Sequence, residues 1–126
     1  MYVPCDVTVT EDCQRAVKAA SALGKLTGLV LSAGIYEEKL LENTTDEEIE
    51  KYFAVNVFGA MKLARESIPA MRGGAGSIAA VASDAALQGN VQCSLYGATK
   101  GALVSFIRSL ALELAVEGIR ANVVCP

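Results

Sequence analysis

Three residues near the middle of the chain have the types and spacing for proton chemistry: Ser83, Tyr96 and Lys100. Ser83 follows the apolar run Ser77-Ile78-Ala79-Ala80-Val81-Ala82 and sits at the end of an expected strand. Tyr96 and Lys100 are four residues apart in a segment that reads as the start of a long helix, so their side chains share a face. A phenol beside an ammonium group becomes a more useful acid, because the positive charge favours phenolate and lowers a pKa otherwise about 10. A nearby hydroxyl such as Ser83 steadies the carbonyl or alcohol on which such a couple works.

Other chemistries are poorly supported. The chain has no histidine, and its four cysteines (Cys5, Cys13, Cys93 and Cys125) include no Cys-x-x-Cys pair. Zinc sites, histidine-based triads and Cys–His nucleophiles are therefore not expected, no metal ligands are proposed, and the thiols read as reduced core residues. Net charge is −3, with lysine and arginine scattered, which argues against a nucleic-acid partner. No apolar run reaches the roughly 18 residues that span a bilayer, and the first residues lack the pattern of a secretory signal. A cytoplasmic setting without membrane contact is the expectation.

The elements that must hold these residues follow from periodicity. Met1–Asp6 reads as a short strand, and Thr8 and Thr10 before Glu11 and Asp12 read as a helix start. Cys13, Ala16, Val17 and Ala20 recur at helical spacing until Gly24. Thr27–Leu31 is a compact apolar strand that empties into Ser32-Ala33-Gly34-Ile35, where small residues permit close backbone approach. Thr45 and Glu48 fit a capping box, and Ile49, Phe53, Val57, Ala60, Ala64 and Ile68 continue as one long helical stripe. Asn43-Thr44-Thr45 has the form of a glycosylation acceptor but reads as turn and cap chemistry. Gly73-Gly74-Ala75-Gly76 lies after a helix and before a strand, so it reads as a helix stop rather than a phosphate loop. Leu103, Ile107, Leu110 and Leu114 mark a helix running to about Val116, and Ile119–Cys125 is a last strand after Gly118. The order β-α-β-α-β-α-β argues for a parallel sheet with helical crossovers in one domain over residues 1–126.

The block Tyr96-Gly97-Ala98-Thr99-Lys100-Gly101-Ala102, with Ser83 thirteen residues upstream of the tyrosine, resembles the signature of the short-chain dehydrogenase/reductase family. The resemblance implies an α/β Rossmann-like, doubly wound parallel sheet, here incomplete. It implies an NAD(P)-dependent oxidoreductase that moves a hydride between nicotinamide and an alcohol or ketone, using NAD or NADP. By the same resemblance Tyr96 is the general acid/base, Ser83 binds the reacting oxygen, and Lys100 assists the tyrosine and holds the nicotinamide ribose. Asn56 matches the asparagine that interrupts the preceding helix and organises a relay water. Asp6 and Val7 match a pair lying against the adenine, and Ser32-Ala33-Gly34 match the tail of an Asn-Asn-Ala-Gly turn beside the cofactor, with Leu31 and Ser32 replacing both asparagines.

The family's opening Gly-x-x-x-Gly-x-Gly turn, which brings backbone N–H groups to a pyrophosphate, has no counterpart in these residues. The chain therefore reads as the middle portion of such a protein, a homodimer or homotetramer when complete. The alternative is a non-catalytic, truncated remnant or a helix-mediated interaction module built on the helices expected at Thr45–Arg72 and Ser94–Val116.

Overall fold

A computed structural model describes residues 1–126. Helix α1 covers Thr10–Ser21 and leads to strand β1, Gly28–Leu31. Helix α2, Asp46–Phe53, passes through a π turn at Ala54–Phe58 into α3, Gly59–Met71. Strand β2 is Ser77–Val81, α4 is Ser94–Ala115 and β3 is Arg120–Val124. The strands form one parallel sheet in the order β1-β2-β3, with Leu29 opposite Ile78 and Ile78 opposite Ala121. Parallel neighbours need long crossovers, and here α2–α3 and α4 supply them. The result is the incomplete Rossmann-like α/β sheet expected.

The core lies where α3 and α4 meet the middle strand. Ile78 and Ala80 of β2 are fully buried against Leu103, Ile107, Leu110 and Leu114 of α4, and Ala60, Ala64 and Met71 of α3 join them. The helical stripe of α4 thus faces the sheet, each large side chain contributing about 1.5–3 kcal/mol by leaving water. The capping box at α2 is formed: Glu48 N–H donates to Thr45 Oγ1, and Thr45 N–H donates to the Glu48 carboxylate. Gly73, with φ of +75°, turns the chain between α3 and β2.

Two local expectations give way to tertiary constraint. Met1–Asp6 does not form a strand, because no neighbouring strand offers it a ladder. Side chains bond the backbone of this first segment instead. Arg15 donates to the Pro4 carbonyl at 2.9 Å, Asp12 accepts from Asp6 N–H at 2.9 Å, and Lys62 donates to the Thr8 carbonyl at 2.6 Å. Nor do the threonines cap α1. Val9 occupies the cap position, while Thr8 donates its N–H and hydroxyl to the Asp6 carboxylate at 2.9 and 2.7 Å. Those two bonds hold Asp6 below the usual carboxylate range. Val7 then rests on the helix at Gly59, where an added Cβ would lie 2.5 Å from Val7 Cγ2.

Strand β1 pairs with β2 on one side only, and Val30 on it is 65% exposed. An apolar strand with an open edge is a template for pairing with another chain. We predict that the 126-residue chain self-associates through β1. Val30→Lys should lower the apparent mass in light scattering over a concentration series, and an unchanged profile would contradict the edge assignment.

Candidate active site

The start of α4 descends onto the loop after β2, and one glycine permits it. A Cβ on Gly97 would sit 2.8 Å from the Ala85 carbonyl oxygen, so any side chain would push the helix away from that loop. On the loop, Ser83 Oγ accepts from Ala85 N–H at 3.2 Å and donates to Asp84 Oδ1 at 3.1 Å. Asp84 also accepts from Gln88 Nε2 at 2.9 Å; these bonds, the Gln88 one foremost, keep its carboxyl below the ordinary range. Ser83 and Tyr96 face one opening of about 150 Å³, whose walls include Tyr36, Asp84 and Cys93. The rings of Tyr36 and Tyr96 meet edge to face, with centroids 4.7 Å apart and planes at 66°.

Behind Tyr96 lies the ammonium of Lys100, on the same helix face, 5.6 Å from the ring centroid. Only 4% of Lys100 is exposed, and its Nζ donates to the Val81 carbonyl at 2.8 Å. Burial holds its pKa below the usual lysine value. An ammonium carries three donors, and one is spent on Val81. The remaining donors lie near Gly34, whose added Cβ would be 3.5 Å from Lys100 Nζ and 3.4 Å from Asn56 Oδ1.

Asn56 is fully buried in the π turn, where Gly59 N–H reaches back to the Ala54 carbonyl. Such a wide turn is rare within an α-helix and is often found at functional sites. The Asn56 side chain accepts from Ile35 N–H at 2.8 Å and donates to the Ile35 carbonyl and to Thr99 Oγ1, each at 3.0 Å. Thr99 in turn donates to the Tyr96 carbonyl at 2.8 Å. One carboxamide thus joins the loop after β1, the α2–α3 helix and the first turns of α4.

The residues singled out in the sequence therefore fall into three places. Ser83 and Tyr96 share the opening, and Gly34, Asn56 and Lys100 converge behind it. Val7, Ser32 and Ala33 line a separate apolar cleft of about 140 Å³ between β1 and α3. Asp6 joins none of these, since its carboxylate is turned onto Thr8. The sequence reading passed over Thr99, although it lies three residues after Tyr96 and so on the same helix face. It also passed over Tyr36 and the close approach at Gly97, for which the sequence carries no spacing signal.

With this geometry in hand, comparison with known proteins is informative. All of residues 1–126 match the family model described as short chain dehydrogenase. A 3-oxoacyl-[acyl-carrier-protein] reductase of Mus musculus is 41% identical over 123 residues, covering 97% of this chain and 52% of that protein. A dehydrogenase/reductase from Sinorhizobium meliloti 1021 superposes with a TM-score of 0.95 at 32% identity, over 100% of this chain and 50% of the other. A 3-ketoacyl-(acyl-carrier-protein) reductase from Brucella melitensis, complexed with NADH, gives 0.94 at 34% identity over 98% and 54%. The chain thus spans about half the length of the curated relatives it matches.

Two measurements test the buried network. Thr99→Val leaves an Asn56 N–H without its acceptor, and should cost about 1–3 kcal/mol in urea unfolding. A loss well under that range would mean the amide finds another partner. Lys100 supplies a pH test. Its folded pKa is lowered, while the unfolded chain keeps a value of about 10.4. Between the two the unfolded state binds more protons, so stability from this group rises with pH and levels off above the unfolded value. The stability of the wild type relative to Lys100→Met should therefore climb as pH approaches about 10.4. A difference that stays flat would show that the ammonium is well solvated.

Proposed function

The chain belongs to the short-chain dehydrogenase family, and from that premise we propose that it forms the catalytic middle of an NAD(P)-dependent oxidoreductase. In this reading residues 1–126 are one partial Rossmann-type domain, and the reaction interconverts an alcohol and a ketone or aldehyde. The observation that carries it is the buried Lys100 ammonium behind Tyr96, with donors to spare, beside an opening that also holds Ser83.

The residues present fit a nicotinamide nucleotide. The cleft between β1 and α3 opens at the carboxyl end of β1, the end of a parallel strand at which open α/β sheets bind ligands. Val7, Ser32 and Ala33 line its apolar wall, and the space above Gly34 lies within reach of the unspent Lys100 donors. NAD or NADP, when bound, supplies or accepts the hydride. Tyr96 donates the proton to the substrate oxygen in reduction and removes it in oxidation. The positive charge of Lys100 stabilises the phenolate that forms. Ser83 Oγ, freed from Asp84 by rotation, donates to the reacting oxygen. Asn56 acts at one remove, positioning Tyr96 through Thr99 and presenting its amide oxygen near Lys100 as the anchor for a relay water. Positioned acid–base groups of this kind are worth about 10²–10⁴-fold in rate.

The proposed substrate is a small molecule, and the proposed setting is cytoplasmic, in keeping with four unpaired cysteines. No helix is long and apolar enough to cross a membrane. A groove of about 330 Å³ between α3 and α4, lined by Met61, Ile68, Phe106 and Leu110, supports a homodimer or homotetramer built on these helices. The same groove favours the second reading, a non-catalytic module that docks through α3 and α4.

The two readings separate in one experiment. Placed in a form that turns over an alcohol or ketone, Tyr96→Phe should lower kcat by about 10²–10⁴-fold. Binding of NADH or NADPH, followed by the fluorescence of the reduced nucleotide, should stay close to the parent value. Turnover that survives the change removes Tyr96 from its role. Failure of the 126-residue chain to bind either nucleotide favours the docking module.

A further inference from the structure

Tyr36 stands directly beside the proposed proton donor and has no part in the chemistry just described. The residue is 56% exposed, yet its hydroxyl has two neighbours. The hydroxyl donates to Glu38 Oε1 at 2.7 Å and lies 3.9 Å from Cys93 Sγ. The edge of one tyrosine ring meets the face of the other. The bond to Glu38 is the latch; with burial and the Cys93 contact adding to it, that bond raises the Tyr36 pKa above the ordinary phenol range. A half-exposed surface tyrosine ordinarily gives its hydroxyl to water. This one gives it to a carboxylate, and the ring is left as a rigid aromatic wall at the mouth of the opening.

The charges around that mouth have one sign. Asp84 lies on the opening and Glu38 holds its wall. The neighbouring cations are engaged elsewhere: Lys100 is buried behind Tyr96 on Val81, and Lys39 is bound to Glu48 at 2.6 Å. A substrate carrying a carboxylate or phosphate close to its reacting carbon would meet two like charges at the mouth, with the Lys100 ammonium set back behind the Tyr96 ring.

We propose that Tyr36, latched by Glu38, is the specificity-determining residue of this opening, which takes uncharged carbonyl compounds with a flat substituent and turns away anionic ones. The flat group covers the free part of the Tyr36 ring while the carbonyl oxygen points at Tyr96 and Ser83. Affinity for the neutral compound comes from the ring. Discrimination against the anion comes from Glu38 and Asp84.

This proposal rests on the oxidoreductase reading, but binding tests it without any hydride transfer. The full chain, held below the concentration at which it self-associates, is titrated with acetophenone and with 4-acetylbenzoate. Tyrosine ring signals are followed by NMR. Acetophenone should shift the Tyr36 and Tyr96 rings, and 4-acetylbenzoate should bind roughly tenfold more weakly or less, the scale of one like charge a few ångström away at a half-exposed site. Glu38→Gln keeps an acceptor for the Tyr36 hydroxyl but removes one of the two charges, so it should narrow that gap. Tyr36→Leu should weaken acetophenone more than it weakens acetone. Equal binding of the two aromatic ketones, no effect of Glu38→Gln on the gap, or no binding of acetophenone at Tyr36 would each overturn the proposal. Discriminating binding in a chain that, once catalytically complete, never turns a ketone over would sink the enzymatic reading and leave the specificity standing.

Discussion

The side-chain amide of Asn56 is the joint on which the site depends. A buried carboxamide left without partners costs several kcal/mol, so its place in the fold is fixed by the groups that can satisfy it. Here these are both backbone groups of Ile35 and the hydroxyl of Thr99. Ile35 ends the small-residue loop after β1, and Thr99 belongs to the turn of α4 that carries Tyr96 and Lys100. The distances within the site are therefore not set by helix and sheet geometry alone. They are set by a network in which each partner is satisfied only when the other elements are in place, which makes the arrangement cooperative.

Around that joint, electrostatics divides two tyrosines that share one opening. Tyr96 has an ammonium behind it, and Tyr36 has a carboxylate in front of it. The lysine is costly to bury and holds only one protein acceptor, Val81. Two of its three donors are thus left without a protein acceptor. Gly97 and Gly59 act by sterics, the first seating α4 on the Ser83 loop and the second seating Val7 on the helix.

Local patterns were legible wherever local physics decides the outcome. The capping box at Thr45, the turn at Gly73, the buried face of α4 and the shared face of Tyr96 and Lys100 all follow from spacing. The first segment was misread because a strand is a relation between two chains of atoms, and residues 1–6 have no partner in this sheet. The wide turn at Asn56 was marked only by the family resemblance, which has this asparagine interrupt the helix; periodicity does not show it. Tyr52, Asn56, Ala60 and Ala64 are all buried at intervals of four. That pattern passes for an ordinary amphipathic stripe, although a straight helix would drift by about 40° at each step. Tyr36 was illegible because its importance lies in Glu38, Cys93 and Tyr96, a set that only the folded chain assembles.

The wide turn also bears on how such a helix can change length. A π turn accommodates one surplus residue between two stretches of regular helix. Dropping a residue from Ala54–Phe58 would let the helix close into an unbroken α-helix while Tyr52 on one side and Ala64 on the other kept their faces toward the core. Deletion of a residue elsewhere in the helix would swing everything beyond it by about 100°. The segment around Asn56 is thus the one place where the helix tolerates a single-residue deletion as folded architecture, and the place where that deletion would dismantle the site. Foldability and chemistry part company at a single peptide unit, and only the second requires the extra residue.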